Sequence, residues 1–204
     1  MRPLAPLLLA LLATPLAAQR AEPVRLLPWS RQIAVREQWL AARHAQLLPM
    51  MRRHGIGMWI VVNEEFHDDP VVPYVAPPRV YTGNRDLFVF VDAGEAGLRK
   101  VALTGYAEDN LSRFFESDEE PRPPAQALRQ LYDEHQPATI GLSIGGGRGQ
   151  TRSLTHDTYT WLAEALGPEA TARFRSAAGL IEEYLDTRLP EEKPHYTVAV
   201  ALTE

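Results

Sequence analysis

The segment Gly57-Met-Trp-Ile-Val-Val-Asn63 limits the choice of fold more than any other stretch of the chain. It is a continuous apolar run of strand length, without the alternation that marks a strand with one wet face. Such a strand needs cover on both sides, and its surroundings supply candidates. Before it, Ser30 to His54 reads as a helix capped by Ser30 and ended by Gly55. Ile33, Leu40, Leu47 and Met51 fall on one stripe of that helix, and Pro49 is expected to kink or restart it.

After it, Leu87-Phe-Val-Phe-Val-Asp92 and Lys100-Val-Ala-Leu-Thr104 flank Ala93 to Gly97, a natural hairpin turn. Pro124 to His135 reads as a helix, and Thr139 to Ile144 as a second buried strand. A helix over Thr155 to Leu166 is stopped by Gly167-Pro168, and a short strand at Arg173 to Ser176 precedes an acidic helix over Leu180 to Arg188. Helices alternating with buried strands around one antiparallel hairpin define an α/β domain with a mixed β-sheet flanked by helices. Trp29, Trp39, Trp59 and Trp161 are expected in or near the core.

The ends are legible too. Residues 1–18 begin with a basic residue, continue as an apolar run interrupted by prolines, and finish on small residues before Gln19. That is the build of a secretory signal peptide, too short to span a bilayer, which takes about 20 residues. The mature protein is therefore expected to be periplasmic or secreted, with no membrane association after cleavage. Residues 19–29 read as a polar, proline-containing tether. At the other end Leu189-Pro-Glu-Glu192 opens a further helix, with Pro190 in its first turn and two acids at the positive end of its dipole. That helix runs to Glu204 with no partner for its apolar side, so the segment from Pro190 is expected to fray.

Composition removes several function classes. Against 26 acidic residues stand 21 Lys and Arg, a net charge of −5, and no basic cluster points to nucleic acid. With no cysteine the chain offers neither a disulfide nor a thiolate. Asn63 to Pro70, at the carboxyl end of the first strand, gathers His67, Asp68 and Asp69, a possible divalent-ion site. The competing reading is an acidic loop that is solvated or paired with Arg79 or Arg85, because adjacent extended residues point different ways. Gly145-Gly-Gly-Arg-Gly-Gln-Thr151 lacks the lysine and hydroxyl of a P-loop and reads as a flexible turn. No histidine pair has zinc spacing, Ser143 and Ser153 lack a nucleophile elbow, and His44 sits near an apolar stripe, where packing is its expected role.

Several stretches, in order, resemble the amino-terminal domain of the pita-bread metallopeptidases: Xaa-Pro aminopeptidase, prolidase and creatinase. Leu47-Leu-Pro-Met-Met-Arg-Arg-His-Gly-Ile-Gly-Met-Trp-Ile-Val-Val-Asn63 is similar to the family's helix into its first strand. Asn63 to Val71 resembles a loop of a secreted bacterial branch, and Ala165 to Ala177 resembles the close of that branch's domain. Leu185-Asp-Thr-Arg-Leu-Pro-Glu-Glu192 resembles its joint into the catalytic domain, where Glu-Thr-Arg-Thr-Pro-Glu-Glu is more usual. The glycine-rich stretch departs from the family pattern.

The resemblance implies a creatinase/prolidase amino-terminal domain with a ribonuclease H-like motif over residues 30–186, and the start of a catalytic domain at 187–204. It implies a parent enzyme that removes an amino-terminal residue preceding proline from short peptides with proline at the second position. Two divalent ions, manganese in many members, are held there by two Asp, one His and two Glu of the catalytic domain; no metal ligand or catalytic residue is carried over to this chain. The implied partners are the chain's own catalytic domain and a second copy in a homodimer. The loop at Phe66, His67, Asp68 and Asp69 is then a candidate for restricting access to a neighbouring active site. The alternatives are a free-standing extracytoplasmic module that binds peptides or proteins without catalysis, and a small metalloenzyme centred on His67, Asp68 and Asp69. If the leader is a cleaved signal, intact-mass analysis of the exported protein will find Gln19 at its amino terminus; an exported product that retains residues 1–18 would contradict that.

Overall fold

The computed structural model describes residues 26–203, apart from Val80, Tyr106, Ala107, residues 117–121 and the side chain of Leu202. The signal segment and most of the tether thus lie outside the described residues. Helix α1 spans Trp29–Arg53, one residue ahead of the expected Ser30 cap. The residue at the cap position is Pro28, whose carbonyl accepts from the Arg31 and Gln32 amides at 2.8 and 3.0 Å. No side chain caps this end, and the Pro28 carbonyl takes up the Arg31 amide with a tight first turn instead. Pro49 does not restart the helix, which runs on to Arg53. Both Pro49 and Ala45, whose carbonyl loses its helical partner, face solvent, where water replaces the lost bond. Gly55, at φ +64°, turns the chain out of α1 as expected.

Five strands follow: β1 Met58–Glu64, β2 Arg85–Asp92, β3 Leu98–Leu103, β4 Ile140–Leu142 and β5 Phe174–Ser176. They lie in the order β3-β2-β1-β4-β5. The β1–β2 and β2–β3 pairs are antiparallel, while β1–β4 and β4–β5 are parallel, so β2 alone runs against the rest. This is the ribonuclease H-like arrangement that the resemblance implied. Short helices α2 Val72–Val75 and α3 Asp109–Ser112 lie in the connections; the longer α4 Pro124–His135, α5 His156–Thr171, α6 Ala178–Asp186 and α7 Lys193–Thr203 complete the chain. Gly167 does break the helical backbone, at φ +79°, but Pro168 starts a further turn that carries α5 to Thr171.

Alternate residues of β1 serve two cores. Met58, Ile60 and Val62 pack with Leu128, Tyr132 and Leu162 of α4 and α5. Trp59 and Val61 pack with Leu47, Met51, Leu180 and Tyr184 of α1 and α6. Burying each such side chain contributes about 1.5–3 kcal/mol, which is why the sheet is covered on both faces. Trp59 is fully buried and Trp39 and Trp161 partly so, but Trp29 is 67% exposed. It precedes the buried stripe of α1, so the expectation that it joins the core is corrected.

His44 lies inside the second core, edge-on to Phe90 and Phe115 at 5.6 and 5.5 Å between ring centres. Its Nε2–H donates to the Val75 carbonyl at 2.9 Å, and Nδ1 accepts from the Lys100 ammonium at 3.3 Å. Burial, and then the Lys100 charge, lower its pKa from 6.5 to about 4. Packing is indeed its role.

A second long-range tie closes the chain end. Arg43, buried between the rings of Tyr74 and Tyr184, meets the Glu192 carboxylate at 2.6 Å and donates to the Tyr184 carbonyl at 3.0 Å. Glu192 also reaches back to accept from the Leu189 amide at 3.1 Å, which fixes the 3-10 turn Pro190–Glu192. Beyond that anchor α7 is exposed throughout its described side chains, with Tyr196, Val198 and Val200 in solvent. Only its first turn rests on the body, through His195 against Trp39 and Tyr196 beneath Arg188.

The His44 environment sets a pH dependence. An unfolded chain takes up this proton near pH 6.5 and the folded one only near 4, so stability falls on acidification through that window. The loss from this group between pH 7 and pH 5 is about 2 kcal/mol. Urea unfolding at the two pH values is expected to show it, and His44→Gln, which keeps a donor for Val75, is expected to abolish most of the difference. Equal pH dependence in the two proteins would contradict the assignment.

Candidate functional site

The polar cluster forecast at the carboxyl end of β1 exists, but its side chains turn towards the protein. Asn63, the penultimate residue of β1, organises it. Its Oδ1 accepts from the Asp69 amide at 2.7 Å, and its Nδ2 donates to Asp68 Oδ1 at 3.2 Å and Thr82 Oγ1 at 2.7 Å. Asp69 is buried: Oδ1 accepts from the Val71 amide at 2.8 Å and Oδ2 from the Ser153 hydroxyl at 2.5 Å. Burial outweighs these bonds and the nearby His67, and holds the Asp69 pKa above the usual carboxylate value. The His67 Nε2–H donates to the Ser153 carbonyl at 3.0 Å.

His67 and Asp69 both bond Ser153, through its carbonyl and its hydroxyl, while the Asp68 carboxylate bonds Asn63. Among the described residues no group of three or more His, Asp or Glu side chains is placed to hold a metal ion. The donor set that the resemblance requires for two ions has no counterpart here, and no chemical step is derived through them. The expected pairing with Arg85 is present at Glu64, the first acid of the cluster, and Asp68 is exposed, whereas Arg79 pairs outside the cluster. Arg79 meets Asp86 at 2.6 Å and Glu108 at 3.1 Å, and Arg85 meets Glu64 at 3.0 Å.

Glu64, which ends β1, belongs to the forecast cluster, but its bonds to Thr155 and Thr158 are not legible in the sequence. It accepts from Arg85, from Thr155 at 2.7 Å and from Thr158, tying β1 to β2 and to the start of α5. Although partial burial opposes its charge, bonds from Thr158, Thr155 and Arg85 hold its pKa below the usual range. No local signal marks these bonds, because the partners lie 21 to 94 positions away. Thr155 does cap α5, accepting from the Thr158 amide at 3.1 Å.

Phe66 is exposed like Glu65, His67 and Asp68 beside it, but has no polar side chain to bond back to the protein. It tips a two-residue turn in which the His67 amide donates to the Glu64 carbonyl at 3.0 Å. The Phe66 backbone sits at φ +61°, and its side chain is 99% exposed. Beside it opens a cleft of about 360 Å³ lined by Trp29, Arg36, Asp68, Pro77, Pro78 and Tyr81. Asp68 and Asp69 both line the cleft, but both already bond within the protein, Asp68 to Asn63 and Asp69 to Ser153 and the Val71 amide. The glycine-rich turn is likewise structural in its contacts. Thr151 Oγ1 bonds back to the Gly145 and Arg148 carbonyls, Arg148 pairs with Asp186 of α6 at 2.8 Å, and Gly146 at φ +79° has no room for a side chain beside Thr151.

What the structure defines is an α/β domain with a mixed five-stranded sheet flanked by helices and a cleft at the carboxyl end of β1. Comparison with known proteins adds a relative in shape. No protein-family model matches the chain, and no curated protein matches it. Among solved structures, that of the aminopeptidase P, Xaa-Pro aminopeptidase, from Streptococcus thermophilus is similar, with a TM-score of 0.51 and 13% sequence identity. The match covers 72% of this chain and 98% of that one. At that identity the likeness is one of fold, and it fits an aminopeptidase P amino-terminal domain.

Proposed function

We propose that this chain serves as the non-catalytic amino-terminal domain of an extracytoplasmic Xaa-Pro aminopeptidase-like metallopeptidase. It docks on its own catalytic domain, pairs with a second copy and carries the Phe66–Asp69 loop towards the entrance of a neighbouring active site. The parent enzyme removes amino-terminal residues that precede proline, and its two divalent ions, manganese in the first instance, belong to the catalytic domain. The observation that carries this reading is the near end-to-end match to the Streptococcus thermophilus aminopeptidase P chain. The ordered motifs through Glu192 support it, as does helix α7, whose Tyr196, Val198 and Val200 are exposed and would gain stability against a partner. No helix of the described residues is long and apolar enough to cross a membrane.

The cleft beside Phe66 favours a second reading, a free-standing module that binds a peptide or protein through aromatic residues. Both readings assign the chemistry elsewhere. Purified chain given Xaa-Pro dipeptides and tripeptides with added manganese is expected to release no amino-terminal residue above a protein-free control. Robust metal-dependent turnover, abolished by chelator, would overturn both.

A further inference from the structure

A second hollow, of about 220 Å³, lies between α1 and the chain from Pro73 to Pro78. Arg36, Trp39, Leu40 and Arg43 form one wall, because spacings of three, four and seven residues place them on a single face of the helix. Tyr74 and Pro78 stand in the wall opposite. The lining carries two guanidinium groups and no carboxylate.

The two cations differ in what they have left to bind. Arg43 is buried, with the Glu192 carboxylate at 2.6 Å and the Tyr184 carbonyl at 3.0 Å. Arg36 is partly buried, and among the described residues its polar contact is one 3.4 Å bond to the Pro73 carbonyl. It also borders the cleft at the β1 end, which Asp68, Asp69 and Arg79 line. The groups there are committed to one another or to the backbone: Asp68 to Asn63, Asp69 to Ser153 and the Val71 amide, Arg79 to Asp86 and Glu108. Among the described residues no carboxylate meets Arg36. A guanidinium offers five donors in a planar fork that takes a carboxylate two bonds at a time. Partial burial removes water from that fork without returning partners, a cost that an anion would offset.

We infer that this hollow binds a small carboxylate with an apolar body, the carboxylate on the Arg36 fork and the body between the Trp39 and Tyr74 walls. The charge of the lining selects an anion, the apolar walls select a body that leaves water, and the volume admits one small molecule. An amine would meet two like charges, and a neutral molecule would leave the fork unfilled. The site stands beside the joint to α7, since Trp39 packs on His195 at 5.1 Å and Arg43 holds Glu192. The inference goes beyond the domain assignment and does not depend on it.

Titration of the purified chain with 3-phenylpropionate, followed by amide NMR shifts, tests it. Saturable shifts are expected in α1 from Arg36 to Arg43 and at Tyr74 to Ala76, with a Kd on the order of 1 mM for a ligand of this size. The alcohol 3-phenylpropanol keeps the body without the charge and is expected to bind about tenfold more weakly, the effect of losing charged hydrogen bonds. Acetate keeps the charge without the body and is expected to bind more weakly than 3-phenylpropionate by at least as much. Arg36→Met is expected to bring 3-phenylpropionate to the level of the alcohol, and Arg36→Lys, which keeps a charge without the fork, to fall between. The thermal midpoint of Arg36→Met is expected to match that of the parent chain, which loses only a 3.4 Å bond. Shifts confined to other surfaces, equal binding of acid and alcohol, equal binding of acetate, or indifference to Arg36→Met would each overturn the site. If Arg36→Met fails to fold, the three probes on the parent chain decide alone. None of these outcomes touches the peptide hydrolysis result, so the domain assignment stands or falls separately.

Discussion

The double burial of β1 is the constraint from which the rest of the structure follows. Met58, Ile60 and Val62 look to one core and Trp59 and Val61 to the other, so helices must lie on both faces of the sheet. The strand cannot be an edge, and it is flanked by β2 on one side and β4 on the other. Only its carboxyl end leaves the apolar layers. There Asn63 and Glu64 meet solvent-side loops, and they spend their hydrogen bonds on holding those loops in place. At this end Asn63 and Asp69 are buried as scaffold, and Glu65, Phe66, His67 and Asp68 are exposed.

The other organising contact is Arg43 with Glu192. Removing one partner of a buried ion pair typically costs about 3–5 kcal/mol, while an apolar replacement of both can be neutral, so such a pair specifies geometry more than it adds stability. Here it joins the middle of α1 to the turn before α7, across 149 positions of sequence. It fixes where the chain leaves the domain and leaves α7 projecting from the body. The buried Leu189 and Glu192 and the exposed Val198 and Val200 mark a sharp change from a held segment to an unsupported one.

The elements were legible where a local pattern suffices. The apolar runs gave β1, β2 and β4, although β4 is trimmed to Ile140–Leu142, and Pro124 to His135 was found at its observed limits. Ser30 and Pro49 misled because side-chain rules were applied without knowing which backbone groups face water. The exposure of Trp29 was hidden for the same reason: an aromatic residue suggests burial until the neighbouring stripe is placed. Of the site, the location at the end of β1 was legible and its wiring was not. Asp69 finds Ser153 and Glu64 finds Thr158 only after the parallel crossover brings α5 to that edge. The ordered family-like motifs carried the sheet topology, which composition and periodicity leave open.

The core is closed by Arg43–Glu192, and α7 projects from it with contacts to the body at His195 and Tyr196 in its first turn. Hydrogen exchange followed by mass spectrometry on the purified chain tests it directly. Amides of β1, β2 and the Leu189–Glu192 turn are expected to be strongly protected, and those of Lys193–Thr203 to exchange at rates near those of a free peptide. Protection of α7 equal to that of β1 would contradict the claim, because it would require packing that the exposed Tyr196, Val198 and Val200 do not make.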